Sequence, residues 1–160
     1  MSGPAYYSVE QFRPATMECV LDSAIKRNIP ANVLLAVGQH EAGKEGSAIR
    51  NTDGSLDFGR TGINSITVDD VMPEMKKYGV TREQVVYYLR YDGCYNYDMA
   101  AYVLQKHLRN CNFDFWTCVA RYHSKSPEPN KRYQTFIIPL AAKWERYLKD
   151  NFPVRSIVRE

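Results

Sequence analysis

The second helical segment of the chain, residues 31–43, reads ANVLLAVGQHEAG. Its apolar residues recur at helical spacing, and Leu34, Val37 and Glu41 follow one another at i, i+3 and i+7. The glutamate therefore continues an apolar stripe on a helix predicted at about 31–42. A carboxyl group in such surroundings loses hydration mainly in its charged form, so its pKa rises and it keeps a proton nearer neutrality. Glu41 is thus a candidate general acid, with a solvated helix-end glutamate as the alternative.

The next segment is rich in glycine and lacks helical periodicity. Residues 49–65 read IRNTDGSLDFGRTGINS, which predicts an irregular hairpin or loop lobe. The lobe brings Asp53, Asp57 and Asn64 within a short chain distance of the helix end that carries Glu41. Paired carboxylates across a cleft are the usual equipment for cleaving a glycosidic bond, so this juxtaposition strengthens the catalytic interpretation.

Composition limits the class of protein. The chain has 160 residues, 44% hydrophobic and 24% charged, with a formal net charge of +3, which predicts one globular domain over 1–160 with its core at about 15–150. Basic and acidic residues alternate along the chain, so we expect no nucleic-acid binding. Apolar runs are shorter than the roughly 18–20 residues of a bilayer span, so we expect no membrane insertion. The first ten residues lack a basic start and an apolar stretch, and we expect any export signal to be absent from this chain.

The four cysteines indicate the compartment. Cys19, Cys94, Cys111 and Cys118 are even in number and lie in no C-x-x-C spacing, which favours two disulfides and an exported protein. Four buried free thiols in a cytosolic domain are the alternative. Of three possible pairings we favour Cys19 with Cys94, which would tie two distant helices, and Cys111 with Cys118, which would close a short loop.

Most of the remaining sequence has helical periodicity. Thr67, with Asp69 and Asp70, is expected to cap a helix that ends near Tyr78–Gly79, and residues 81–84 form a capping box for the next helix. Further helices are predicted at about 16–28, 96–109, 114–123 and 130–149.

The C-terminal part contains features expected to interrupt helices. Two prolines predict a loop at 125–130. Pro139 removes a backbone donor, so we expect a kink or break near residue 138. Residues 151–160 are expected to be a flexible tail, with docking on a partner as the alternative.

Several short motifs stand in a characteristic order and spacing. They are His40-Glu41-Ala42-Gly43, Asn51–Gly59, Ile63-Asn64-Ser65, Asp92–Asn96, Trp116 and Tyr122-His123-Ser124. In that order they resemble the family 1 lytic transglycosylases, specifically the small members that accompany secretion, conjugation and pilus machines. The resemblance covers roughly residues 17–137.

The resemblance implies a fold and a reaction. The fold is the goose-type lysozyme-like one, mainly α with a small β-ribbon. The reaction is cleavage of the peptidoglycan bond between N-acetylmuramic acid and N-acetylglucosamine to give 1,6-anhydro ends. Glu41 matches the catalytic glutamate, Tyr122 matches an aromatic residue placed over it, and Asn64 matches the asparagine of the motif Gly-Leu-Met-Gln-Ile-Asn.

The remaining predicted site residues adjoin these motifs. Ser65, His123, Gly59 and Arg60 complete the expected substrate-binding set. Asp57 is expected to assist an oxocarbenium-like transition state from across the cleft, with a turn aspartate that caps the lobe's backbone as the alternative.

The chain departs from the family pattern at two places. Ala42 stands where a serine usually supports the glutamate, and Arg60-Thr61-Gly62 replaces the Leu-Met-Gln of the asparagine motif. The missing glutamine normally helps to hold the sugar, so glycan affinity and rate are affected more than reaction type. Arg60 is a candidate for meeting a carboxylate of a peptide stem, and an ordinary surface arginine is the alternative.

The resemblance also implies partners and a location. We expect peptidoglycan glycan strands as substrate, a type III or type IV secretion, conjugation or pilus apparatus as partner, the periplasm as compartment, and a monomer without cofactor. His40, His107 and His123 include no i, i+4 pair, so no metal site is expected. Two alternatives remain: a lysozyme-type hydrolase that uses Glu41 and Asp57, and a non-catalytic peptidoglycan-binding assembly protein.

Overall fold

The computed structural model describes residues 11–152. This part of the chain is mainly helical with one small antiparallel sheet, which confirms the predicted fold class. A 3-10 turn at Lys76–Tyr78 follows α3. The helices are α1 (Met17–Arg27), α2 (Ala31–Glu41), α3 (Ser65–Met75), α4 (Arg82–Tyr91), α5 (Gly93–Arg109), α6 (Phe115–Ala120) and α7 (Pro127–Asn151), and the strands are β1 (Ala48–Arg50), β2 (Leu56–Phe58) and β3 (Ile63–Asn64).

Helix α2 is the centre of the core. Every residue from Ala31 to Gly38 is buried, because α7 packs along α2 while α1 and α5 cover its other sides. A helix that is apolar on all faces is stable only in such a position. Only its last turn, which ends at Glu41, comes near the surface, so the core fixes the place of that carboxylate.

The lobe at 49–65 forms the sheet. The strand order is β1-β2-β3, with both pairs antiparallel, and Asp57 of β2 is opposite Asn64 of β3. Asp53 lies in the turn between β1 and β2, where its carboxylate accepts hydrogen bonds from the backbone N–H and the hydroxyl of Ser55 at 2.9 and 2.6 Å. The hydroxyl bond is the main cause of the lowered pKa of Asp53. Asp53 is thus an exposed turn residue.

The cap of α3 differs from the prediction. Asn64, not Thr67, caps this helix, because the Asn64 side-chain oxygen accepts from the N–H of Ile66 at 2.9 Å. An asparagine ahead of the first helical residue satisfies a donor that Thr67, already inside the helix, cannot reach. The predicted capping box at Thr81 and Gln84 is confirmed.

The predicted loop at 125–130 and the predicted break near residue 138 are wrong. Pro127 is the first residue of α7, so the expected loop at 125–130 ends early; proline suits that position because it has no N–H to leave unpaired. Helix α7 also runs without a break through Pro139 to Asn151. Pro139 is exposed, so water can satisfy the carbonyl that loses its partner.

Two disulfides tie the helices together. Cys19 of α1 pairs with Cys94 of α5, and Cys111 pairs with Cys118 of α6, each with a Cα–Cα distance of 5.7 Å. This is the pairing favoured from the sequence. Of the predicted tail at 151–160, residues 153–160 lie outside the described residues.

Candidate active site

Glu41 is the last residue of α2 and lies where this helix meets the sheet. Ala42 ends α2 in the left-handed conformation, with φ 55°, and Gly43 then donates its N–H to the carbonyl of Arg60 at 3.1 Å. A Cβ at Gly43 would collide with the carbonyl of Gly59. The helix end and the sheet lobe are therefore locked together at a position that only glycine permits, and the carboxylate of Glu41 is held between them.

The surroundings of Glu41 favour its protonated form. The pKa of Glu41 is raised from 4.5 to about 7: burial is the main cause, the hydrogen bond from Tyr133 opposes the rise, and the negative charge of Asp57 contributes to it. The cause is the one predicted from the apolar stripe, because a desolvated carboxylate is disfavoured relative to the neutral acid. A group with this pKa can both give and accept a proton near neutral pH.

Tyr133 is a site residue that the sequence did not reveal. Its hydroxyl donates to Oε2 of Glu41 at 3.0 Å, and its side chain is buried. Burial, together with the nearby Glu41, raises the pKa of Tyr133 well above its usual value, so the hydroxyl stays a donor. The spacing of Tyr133, Ile137 and Ala141 identifies only a core face of α7; that α7 crosses α2 beside Glu41 is a property of the packing.

Two histidines flank this pair. The ring of His123 stacks on Tyr133 at 5.0 Å with an angle of 4°, and the ring of His40 meets Tyr133 edge-on at 5.1 Å. His40 also stacks on Phe136. Burial and the neighbouring His123 lower the pKa of His40, which favours a neutral ring. The predicted binding residue His123 is exposed, so it offers an aromatic surface beside the carboxylate.

Gly62 brings the lobe's backbone against the carboxylate. It adopts a φ of 62°, and a Cβ at this position would lie 3.0 Å from Oε1 of Glu41. Glycine thus serves both the backbone conformation and the close approach. The Arg60-Thr61-Gly62 departure leaves space beside Oε1 that a side chain would otherwise fill.

Tyr122 lies near Glu41 but does not hydrogen-bond to it. Its hydroxyl donates to the carbonyl of Thr61 at 2.8 Å. Burial and, next, the charge of Glu41 raise the pKa of Tyr122 well above its usual value. Thr61 in turn donates through its N–H and its hydroxyl to the buried Asn96 at 2.8 and 2.7 Å. Tyr122 therefore anchors the lobe with its hydroxyl.

Asp57 faces the site from β2. Its carboxylate accepts a hydrogen bond from the side-chain amide of Asn64 at 2.9 Å, and the same amide donates to Ser55 at 3.0 Å. Asp57 influences Glu41 through its charge, while no hydrogen bond among residues 11–152 joins the two carboxylates. The predicted pair Asp57 and Asn64 is thus brought together across the β2–β3 ladder.

Two other predicted binding residues, Ser65 and Gly59, have structural roles in the lobe. Ser65 accepts the N–H of Leu56 at 3.1 Å through its hydroxyl. Gly59 has a φ of 69° and packs against the Leu89 carbonyl and Asn96 so closely that a Cβ would collide with both. These contacts explain the residue types without a ligand.

Arg60 forms an ion pair with a neighbouring carboxylate. Its guanidinium pairs with Glu45 at 3.4 Å and lines a cavity of about 340 Å³ together with Gln39, Tyr97 and Trp144. Because Glu45 already neutralises Arg60, the suggested contact with a stem carboxylate receives no support here.

The described residues limit two other classes of site. In residues 11–152, no group of three or more His, Cys, Asp or Glu side chains is placed to hold a metal ion. Within the same range, no helix has the length and apolar composition that a bilayer span requires.

Comparison with known proteins gives one group of relatives. The invasion protein IagB of Salmonella typhi is 30% identical over 140 residues, covering 84% of this chain and 78% of that protein. The IagB proteins of two Salmonella typhimurium strains, SL1344 and LT2, are 29% identical with the same coverage. No protein-family model matches the sequence. The shared length and identity show that the chain belongs to the family of the invasion protein IagB.

Proposed function

We propose that this protein is a peptidoglycan lytic transglycosylase in which Glu41 is the single acid–base group. The observation that carries the proposal is the state of Glu41: a carboxyl at the end of a buried helix, with a pKa of about 7 and a hydrogen bond from Tyr133. The resemblance of the motifs around Glu41 and Asn64 to the family 1 lytic transglycosylases supports the same reaction.

The reaction needs one proton donor that becomes a proton acceptor. Protonated Glu41 gives its proton to the glycosidic oxygen while the bond from that oxygen to C1 of the muramic residue breaks. The resulting carboxylate removes the proton of the C6 hydroxyl on the same sugar as its oxygen bonds to C1. The product is a 1,6-anhydro ring, no water is added, and Glu41 is protonated again.

The neighbours of Glu41 have supporting roles in this mechanism. The hydroxyl of Tyr133 stabilises the carboxylate formed after the first step and keeps it oriented toward the sugar. The negative charge of Asp57 stabilises the positive charge that develops at C1. The ring of His123 provides a surface against which a sugar packs.

The test is the activity of Glu41→Gln on purified cell walls. The amide cannot give a proton, so we expect clearing to fall by at least about 100-fold, the scale of a general acid–base contribution. Glu83→Gln is the matched control, since Glu83 is an exposed glutamate in the first turn of α4. Full activity of Glu41→Gln would contradict the proposal.

A lysozyme-type hydrolase that uses Glu41 and Asp57 is the second candidate. It is favoured by the electrostatic influence of Asp57 on Glu41, because a retaining hydrolase needs a second carboxylate. Mass spectrometry of the released fragments separates the two: anhydro ends indicate the transglycosylase, and reducing ends indicate the hydrolase. Asp57→Asn would lower the rate moderately in the first case and nearly abolish it in the second.

The non-catalytic binding protein is separated by a simpler pair of assays. Retention of the protein on purified sacculi without any clearing of them would favour that alternative over both enzymes.

We further propose that the protein acts in the periplasm on behalf of an envelope-spanning secretion, conjugation or pilus apparatus. Its two disulfides suit an oxidising compartment. Its relatives include proteins named for invasion, and the resemblance is to the small transglycosylases of such machines. Fractionation of the cells that produce it, followed by non-reducing electrophoresis, tests the compartment; reduced protein in the cytoplasm would contradict it.

A further inference from the structure

A second cavity, which Glu41 does not line, is lined by three basic side chains. Its volume is about 370 Å³, and Lys106, Arg121 and Lys125 line it together with His107 and Asp70. Asp70 is the one carboxylate among its lining residues. The cavity therefore carries an excess of positive charge although the whole chain is only mildly basic.

These cations have no acidic partner in the described part of the chain. None of the ion pairs among residues 11–152 involves Lys106, Arg121 or Lys125. Lys106 and Arg121 are half-buried, which weakens their hydration without supplying a counter-charge. An anionic ligand would supply it.

Aromatic rings hold two of these side chains. The guanidinium of Arg121 lies over the ring of Phe113 at 5.3 Å, and the ammonium of Lys106 lies over Tyr102 at 5.7 Å. Such contacts limit the rotamers that a long cationic side chain samples, so less conformational entropy is lost when an anion binds.

The electrostatics at His107 indicate that the positive charges converge on the cavity. The pKa of His107 is lowered to about 4, first by burial and then by the charges of Lys125, Arg121 and Lys106 in that order, against a smaller opposing effect of Asp70. His107 is therefore neutral at physiological pH. It adds a polar ring to the wall and leaves the charge to the lysines and the arginine.

The cavity adjoins the candidate active site along the chain. Arg121 precedes Tyr122, so their Cα atoms are about 3.8 Å apart, and Lys125 follows two residues after His123. On the opposite wall Thr67 lies in the first turn of α3, two residues after Ser65. Residues that lie one or two positions along the chain from Tyr122, His123 and Ser65 therefore line the cavity.

We propose that this cavity binds a carboxylate of the peptide stem carried by the muramic residue, so that the preferred substrate is a peptide-bearing glycan strand. The inference rests on the proposed function, because peptidoglycan is the polymer in which a carboxylate-rich peptide branches from the sugar next to the cleaved bond. It also moves the anion site from Arg60, which pairs with Glu45, to three cations that have no such partner between residues 11 and 152.

The test is a binding measurement that needs no catalysis. The full chain carrying Glu41→Gln is titrated, with NMR detection, with a soluble disaccharide–tetrapeptide and with the same compound after its stem carboxylates are converted to methylamides. We expect the free carboxylates to bind about tenfold more tightly, the scale of one or two charge-assisted hydrogen bonds at a partly exposed site. The amide signals of Arg121 and Lys125 are expected to move only with the charged ligand.

Charge-removing variants locate the effect. In the same background, Arg121→Gln with Lys125→Gln should bind both ligands equally. The matched control, Lys76→Gln with Lys143→Gln, removes the same charge from exposed positions outside the cavity and should keep the preference. If the first double variant unfolds at a lower temperature, Lys125→Gln alone, at an exposed position, should still reduce the preference.

The outcomes distinguish the two proposals. Equal binding of both ligands by the parent protein, or a preference retained in Arg121→Gln with Lys125→Gln, would overturn the stem-binding inference even where wild-type protein releases anhydro fragments. A wild-type protein that releases no anhydro fragments would overturn the proposed function, and the titration would still report on the cavity.

Discussion

Removing the hydroxyl of Tyr133 should shift the proton affinity of Glu41. In the wild type this hydroxyl donates to Oε2 of Glu41 at 3.0 Å. The bond opposes the effect of burial on the carboxyl's pKa, which is about 7 with the bond in place. The Tyr133→Phe variant keeps the buried ring and loses only the donor. A hydrogen bond to a charged group contributes roughly 1.5–3 kcal/mol, which corresponds to about one to two pKa units. We therefore expect the pKa of Glu41 to rise above 7 by about one unit or more.

The pH dependence of kcat/KM measures this shift. Activity that requires protonated Glu41 falls as pH rises through its pKa, so the basic limb should lie near 7 in the wild type and about one unit higher in Tyr133→Phe. At pH 6 the variant should be slower, because the carboxylate formed during the reaction has lost its donor. Titration of the Glu41 carboxyl by carbon-13 NMR gives the same pKa without substrate.

Tyr122→Phe is the matched control. It also removes a buried hydroxyl beside Glu41, but that hydroxyl donates to the carbonyl of Thr61 and not to the carboxylate. Its basic limb should stay close to that of the wild type. The assigned role of Tyr133 would be refuted if the basic limb of Tyr133→Phe stayed in place or moved to lower pH. It would also be refuted if the limb moved equally in both variants.

Three further predictions concern stability. Folding raises the pKa of Glu41 from 4.5 to about 7, so the contribution of this group to stability is present below pH 4.5 and is lost as pH rises to 7. In urea unfolding, the free energy of unfolding of Glu41→Gln relative to the wild type should therefore increase by about 3 kcal/mol between pH 4 and pH 8. Cys19→Ser opens a loop of 75 residues and Cys111→Ser a loop of 7, so the first should cost about 2 kcal/mol more in free energy of unfolding, and equal costs would contradict the loop-closure account. Gly59→Ala combines a positive φ with a backbone collision, whereas Gly54→Ala has the positive φ and open space around the new Cβ. Calorimetry should show that the free energy of unfolding falls by about 3 kcal/mol or more for the first variant and by about 1 kcal/mol for the second.

The sequence was sufficient for the features that depend on local order. The apolar period around Glu41 predicted α2 and the raised pKa, because both follow from which residues share a helix face. The glycine-rich composition of residues 49–65 predicted the sheet lobe. The capping box at Thr81 also followed from residue types within one turn.

Other local predictions failed where a competing contact was available. Thr67 is a residue type that often caps helices, but Asn64 precedes the helix and its side-chain oxygen accepts the N–H of Ile66. Pro139 was expected to break α7, and its exposed position allowed the helix to continue. Helix propensity describes the conformation that a residue prefers in isolation. Where a helix begins or ends also depends on which backbone N–H and C=O groups still lack a hydrogen-bond partner after packing.

The composition of the candidate site was decided by the tertiary structure. Tyr133 lies 92 residues from Glu41 in sequence, and only the packing of α7 on α2 makes them partners. Arg60 pairs with Glu45, and the cations that have no acidic partner in the described part of the chain line the cavity of Lys106 and Arg121 instead. A periodic pattern specifies the face of a helix on which a side chain lies. The residue that this side chain contacts belongs to another segment of the chain. The distances and the charge neutralisation between the two segments therefore exist only once the chain has folded.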